Sequence, residues 1–575
     1  MTEREMVMSE DYVDIISDVT EPWEITYPKD SYFYQEVQGE FGIFYVDRNI
    51  VPPMSVSHYT YRAIPKLESL LQDGPSMGPS TVFDPTALSQ SGILQIQRPP
   101  LSLTGSGVVI GFIDSGIRFT ENVFRNADGS SRILSIWDQT IQTGQPPKGM
   151  VYGTEYTNDM INRALRTADP RQYVPSWDEI GHGTAVASVA AGSILNGGTT
   201  FQGAAPNCQI VMVKCKQAKQ YLREYNFAPP DVPLYAETDI ILAIRYLEEF
   251  AIAYRRPVVI CVGVGNNLGG HSGGSPGLNY VDKASVRRSR ILIASGGNEG
   301  NSAHHFSGSV RGDNNKNEYQ NIEIQVKEGV DGFIGELWGS LPNALAVTVR
   351  SPGGETTQRV DFRTNESRRF TFIYENSELQ VEHRQVEISM GIELFFFRFI
   401  SPTPGVWTIR VESAFNMIGN RAPFNMWLPI FVEDRVVFLA PDPNITLTSP
   451  ANTEEIVSVS TYNQNNGSFY GNSGRGYTRD NIINPDIAAP GVDVDTILGK
   501  MTGGSMAAAI TSGAAAQFMQ WAVVEGNNRH VESQEFRSYL IMGATRSNDL
   551  TYPNREWGYG KLNIAGTFNM LAGLS

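Results

Sequence analysis

The sequence predicts an α/β fold with a doubly wound, mostly parallel sheet, preceded by a small α+β module and interrupted by an all-β, jelly-roll-like sandwich. Three observations predict it. Short β-branched runs alternate with helical stretches before and after that interruption, as βαβ units require. The stretch from Ser505 to Trp521 carries no charge and is apolar on every side, which suits a helix in the middle of a large domain. Between the two α/β parts lies a long block in which apolar and polar residues alternate, with turn signals separating the runs.

At 575 residues the chain can bury a large core and hold more than one domain. Forty-five basic against 61 acidic residues give a net charge of −16, which argues against nucleic acid or an anionic membrane as the main partner. The three cysteines, Cys208, Cys215 and Cys261, have neither zinc nor disulfide spacing and read as buried thiols. The N-terminus opens acidic without a signal-like apolar run, and no segment is apolar for long enough to span a bilayer. A chain made in the cytoplasm is expected.

In chain order, Gly42–Val46 reads as a strand and Ala63–Leu71 as a short helix begun by Pro65. A Gly/Pro/Ser-rich link follows. Val108–Ile113 is an apolar run of the length and β-branched content of a buried parallel strand, and it ends at Asp114-Ser115-Gly116. Functional side chains gather at such carboxyl ends, so Asp114 is a candidate. Gly181-His182-Gly183-Thr184 opens a small-residue helix, with His182 at its entrance. Gln209–Lys214 reads as a strand, Glu237–Tyr254 as an amphipathic helix, and Pro257–Val262 and Arg290–Ala294 as two more strands. Asn298 stands just past the last of these, flanked by glycine, with an amide able to donate. In the block that follows, Ile322–Val326, Leu345–Val349, Phe370–Ile373 and Val406–Val411 read as strands. Gly503 and Gly504 allow a sharp turn into the apolar helix, which places Ser505 among free N–H groups at the positive end of its dipole. His304-His305 reads as a plain loop, because no carboxylate stands at metal-ligand spacing.

Asp-Ser-Gly, Gly-His-Gly-Thr, Gly-Asn-Glu-Gly and Gly-x-Ser-Met-Ala, in that order and in strand-turn-helix contexts that fit, resemble the subtilisin-like serine proteases. The resemblance implies Ser505 as nucleophile, His182 as its base, Asp114 as the partner of the imidazole, and Asn298 as an oxyanion donor beside the Ser505 N–H. An extended substrate is expected to pair with Gly263-Val264-Gly265, with Ser295-Gly296-Gly297 as the other wall of the specificity pocket. Neither cofactor nor metal is implied. The family commonly carries threonine before the nucleophile and proline four residues after it. Here Gly504 and Ala509 stand in those places, and Gly504 is expected to loosen the turn.

The β block, the leading module without a signal peptide, and Gly504–Thr511 are similar to the Csp germination proteases of clostridial spores. That resemblance implies a prodomain over 1–90 that assists folding and is cut off by the enzyme itself, with the cut expected near Gln90-Ser91. The catalytic domain would comprise 91–309 and 445–575, and the insert 310–444. It also implies a protein substrate, the proenzyme of a spore-cortex hydrolase, and packaging in the spore. A catalytically silent binding module is the rival, opposed by the presence of all four functional residues. A third possibility is a cut prodomain that stays lodged in the cleft.

Overall fold

A computed structural model describes residues 1–573 except 18–26, 29, 38–41, 72, 78–82, 196–200, 273–275, 314–315, 362–365, 388–390 and 416–420. At its centre is an eight-stranded sheet in the order Ile487–Pro490, Val457–Tyr462, Arg290–Ser295, Val258–Val262, Val109–Asp114, Gln209–Lys214, Ile133–Asp138 and Thr154–Thr157. Every neighbouring pair is parallel except the last.

Alternation along the strands builds two layers on this sheet. Ile110 and Phe112, with Val259 and Cys261, pack under the helices His182–Ala191 and Gly504–Met519. Val109 and Ile113, with Val258 and Ile260, pack against Glu237–Tyr254 on the opposite face. Every residue of Gly504–Met519 is buried, which is why its sequence shows no polar stripe. Among the described residues no helix is long and apolar enough to cross a membrane.

The chain before this body forms a three-stranded antiparallel sheet, Tyr12–Ser17, Gly42–Asp47 and Tyr32–Glu36, with Gly42–Asp47 in the middle. One face, through Tyr12, Ile16, Ile43 and Tyr45, joins the core around Glu237–Tyr254. The other, through Val13, Ile15, Phe44 and Val46, joins the core of the β block. The N-terminal sheet is therefore wedged between the two larger bodies.

Ala63–Leu71 is not a helix. A short 3₁₀ turn covers Tyr61–Ala63, and Leu67–Leu70 is a strand. Proline disfavours helical geometry in the residue before it, and helix propensity is a weak prior where a segment finds two strand partners. Leu67–Leu70 has two: Leu234–Ala236 on one edge and Val264–Gly265 on the other, both antiparallel.

Between His305 and Phe438 the described residues form two large antiparallel sheets, of six and four strands, that share one apolar core, and a two-stranded ribbon of Gly312–Asp313 and Lys316–Asn317. The strand Gly332–Trp338 in the larger sheet has no legible alternation, because all seven of its residues are buried. His304 and His305 do not form a plain loop. Both are buried, and His305 begins the first strand of the six-stranded sheet.

Candidate active site

Three separate pieces of backbone bring the candidate residues together. Asp114 ends a strand whose residues are all buried, and its Oδ1 accepts the Ser115 N–H at 2.7 Å. His182 is the first residue of its helix, after Gly181 in the left-handed region (φ 92°). Its Nδ1–H donates to Asp114 Oδ1 at 2.7 Å, and its Nε2 lies 3.0 Å from Ser505 Oγ. Asp114 accepts only, so the proton on Nδ1 leaves Nε2 free to receive one from the serine.

Glycine is required around this carboxylate. A Cβ on Gly263 would stand 2.0 Å from Asp114 Oδ2, and one on Gly183 would stand 2.3 Å from the Gly116 carbonyl. Burial acts to lower the pKa of His182, but the charge of Asp114, their hydrogen bond and the charge of Asp178 together raise it above 6.5.

Asp178 is a residue that sequence reasoning missed. Its Oδ1 accepts from Ser115 Oγ at 2.9 Å and from Gly181 N–H at 2.8 Å, and its Oδ2 accepts from Thr184 N–H at 2.9 Å and Thr184 Oγ1 at 2.6 Å. One carboxylate thus ties the loop after Asp114 to the first turn of the histidine helix. The available signal was an acid four residues before His182, where it can satisfy free N–H groups and favour the helix dipole.

Asn298 is 7% exposed, and its Oδ1 accepts the Gly504 N–H at 2.9 Å. That bond fixes the amide so that Nδ2 is buried without a partner, a cost that an oxyanion would relieve. Gly504 does not loosen the turn. A Cβ there would lie 1.9 Å from Ser295 Oγ, so glycine lets the turn pack directly on the Ser295–Gly297 wall.

The cleft is filled by the chain's own strand. Leu70 pairs with Val264 and Ser69 with Gly265, while the Leu71 N–H donates to the Gly263 carbonyl at 3.4 Å. The Leu71 carbonyl oxygen lies 2.7 Å from Ser505 Oγ and accepts the Ser505 N–H at 3.3 Å. Beyond it, Asp73–Met77 pairs with Gly499–Thr502, the strand that leads into Ser505. The carbonyl in reach of Ser505 is therefore that of Leu71 and not one at Gln90-Ser91. Gln90 ends a short helix, and Ser91, fully buried, caps it and accepts the Ile564 N–H near the C-terminus.

Of the two expected walls, Gly265 lies against Leu71, and Ser295-Gly296-Gly297 lies against Leu447, Thr448 and the Gly504 turn. A Cβ on Gly265 would lie 3.0 Å from Leu71 Cδ1, and one on Gly297 would lie 2.3 Å from Thr448 Cγ2. Gly296 backs onto Leu447, and its carbonyl accepts the Thr448 N–H at 3.1 Å. Thr448, which follows the β block, thus packs behind Gly296 and Gly297 without any local signal in its sequence.

A cavity of about 740 Å³ opens beside Leu71 and Asn298, with Phe431 and Glu433 forming its far side. That side is pinned by His304, whose Nδ1 lies 2.6 Å from Glu299 Oε2 and whose Nε2–H donates to the Glu433 carbonyl at 2.8 Å. Burial acts to lower the His304 pKa, but the Glu299 charge and these bonds raise it above the usual imidazole value, which favours the cation between two acceptors.

A family model described as the subtilase family matches residues 105–348 and 432–560, more than half of the chain. The chain belongs to the subtilase family. The segment between the two matches lies within the β block. This subtilase is 34% identical over 125 residues to the subtilisin-like protease SBT3.1 of Arabidopsis thaliana, and 30% identical over 125 residues to SBT3.5 of the same plant. Each match covers 19% of this chain and 16% of the relative, so the chain spans about a sixth of the length of these curated proteins. A solved structure of the CspB protease of Clostridium perfringens superposes with a TM-score of 0.74 at 27% identity, covering 84% of this chain and 99% of that one.

Proposed function

We propose that this subtilase is a serine endopeptidase that first cuts its own chain on the carboxyl side of Leu71 and then acts on protein substrates in the same cleft. One observation carries the reading: the Leu71 carbonyl oxygen lies 2.7 Å from Ser505 Oγ, and its residue follows a strand paired on both edges. Binding of this kind holds the reacting groups in place, which is where much of an enzyme's advantage arises.

Ser505 Oγ attacks the carbonyl carbon as its proton passes to His182 Nε2, and Asp114 stabilises the imidazolium. The carbonyl oxygen becomes an anion facing the Ser505 N–H and the unpaired Nδ2 of Asn298. His182 then gives its proton to the leaving amine, and water releases the acyl group by the reverse sequence. The chain up to Leu71 is read as the prodomain. Its pairing on both edges supports retention in the cleft after the cut, where it blocks other substrates until displaced.

The physiological substrate is proposed to be the proenzyme of a spore-cortex hydrolase, activated by limited proteolysis in the spore. The similarity of motifs and architecture to Csp germination proteases supports this, together with the likeness to the CspB protease along most of both chains.

Intact mass of the purified protein beside a Ser505→Ala variant tests the chemistry. The parent is expected to split after Leu71 while the variant stays whole; two whole chains would overturn self-processing. Incubation with a cortex-hydrolase proenzyme and sequencing of the new N-terminus tests the substrate. An uncut proenzyme, with self-processing intact, would overturn the spore role alone.

A further inference from the structure

The strand in the cleft carries an acid into the protein. Glu68 occupies the fourth position before the bond placed at Ser505, lies opposite Tyr235 in the ladder, and is 5% exposed. Its Oε1 accepts from Asn266 Nδ2 at 2.5 Å. Asn266 follows directly on the Val264–Gly265 strand and is 4% exposed. Its Oδ1 accepts the Leu268 N–H at 2.9 Å, and its carbonyl accepts the Ser449 N–H at 2.7 Å. The first bond turns the donor edge of the amide towards the strand in the cleft, and the second anchors the backbone that carries it. The donor is part of the enzyme body and would remain there when another chain replaced this one.

We propose that the subsite for the fourth residue before the cut recognises a glutamate or glutamine side chain, through the buried amide of Asn266, in protein substrates as well as in the chain's own strand. The proposal rests on the serine endopeptidase reading and specifies its substrate class. An apolar side chain in this position would leave Asn266 Nδ2 buried without a partner, which a site built to hydrogen-bond its ligand penalises.

The charges around Glu68 favour a neutral group. Glu237, at the start of the Glu237–Tyr254 helix, accepts the Lys66 N–H at 3.1 Å and places a second carboxylate nearby. Lys66 lies on the same strand segment as Glu68 and donates to the carbonyls of Tyr61 at 2.8 Å and Ile64 at 2.5 Å. From the β block, Glu336 accepts Tyr61 Oη–H at 2.8 Å and faces this cluster. Burial first, and then Glu237, raise the Glu68 carboxyl to about 8, against the opposing effects of the Asn266 bond and Lys66. A free glutamate ionises near 4.5, so binding a glutamate is favoured at low pH, weakens as pH rises towards 8 and is then level. Glutamine is indifferent to this change.

Peptides spanning the cleft sequence, with glutamate, glutamine or leucine at the fourth position before the cut, supply one arm of the test. The processed enzyme is expected to cut the glutamine peptide ~10- to 100-fold faster in kcat/KM than the leucine peptide. The glutamine-to-glutamate ratio is expected to rise between about pH 5 and 8, while the common dependence on His182 cancels. Asn266→Leu is expected to abolish the preference over leucine. The second arm needs no catalysis: in full-length Ser505→Ala protein, amide exchange protection of Leu67–Leu71 is expected to survive Glu68→Gln and to fall at least ~10-fold with Glu68→Leu. Equal rates for the glutamine and leucine peptides, or equal protection in the two variants, would overturn the subsite. If neither a peptide nor the protein's own chain is cut while the order of exchange holds, the endopeptidase reading fails and the subsite stands.

Discussion

Asn298 and Gly504 hold one another in a single orientation: the Gly504 N–H donates to Asn298 Oδ1 at 2.9 Å, which leaves the amide nitrogen buried and unpaired next to the turn that carries Ser505. Replacing Asn298 by leucine should therefore lower kcat by on the order of 10² to 10³, the loss caused by removing one such donor in subtilisin, with KM little changed. Steady-state kinetics on a peptide substrate reads the split. An equal rise in KM with unchanged kcat would mean that the amide binds the ground state instead.

The pH dependence follows from His182. Its pKa lies above 6.5, and only the neutral ring can take the serine proton, so kcat/KM should rise with pH through an apparent value above that of a free imidazole. Asp178→Asn removes one of the charges that raise the pKa and should move the midpoint down. A pH–rate profile of the parent and variant measures both effects. An unmoved midpoint would confine Asp178 to holding the loop and the helix together.

Gly504→Ala puts a methyl group 1.9 Å from Ser295 Oγ, a contact that must be relieved by shifting the turn that presents Ser505. Overpacking of this kind costs ~1 to 3 kcal/mol. The variant should melt lower and process its own chain more slowly, and adding Ser295→Gly should recover part of both losses. Intact mass against time and thermal denaturation report the two effects separately.

The Glu299–His304 pair makes a further stability prediction. Removing either partner leaves a buried charge, at a cost of ~3 to 5 kcal/mol, while Glu299→Gln combined with His304→Leu should cost less than the sum of the single changes. His304 is raised in the folded state, so its contribution is fully present below the unfolded value of about 6.5 and is lost as pH rises through the folded value. Denaturant melts at pH 6 and pH 9 would show the His304→Leu penalty shrinking at the higher pH.

Local chemistry made much of this protein legible in its sequence. The strand before Asp114, the helix opened by His182 and the apolar helix opened by Ser505 each declare themselves through periodicity, glycine and a polar residue at a boundary, because those signals act over a few neighbouring residues. Other parts were decided only in three dimensions. Leu67–Leu70 has the composition of a helix and becomes a strand because two distant strands offer it edges. Gly332–Trp338 escaped the alternation test because it is covered on both faces. Thr448 reaches Gly297, and Asn266 reaches Glu68 across nearly two hundred positions, through contacts that no local pattern records. The sequence by itself determined which residues can attack, accept a proton and stabilise an oxyanion, since those are properties of side chains in their turns. Which backbone carbonyl lies within reach of them was decided by the tertiary structure, because the cleft fills through long-range strand pairing and its register follows from the assembled body.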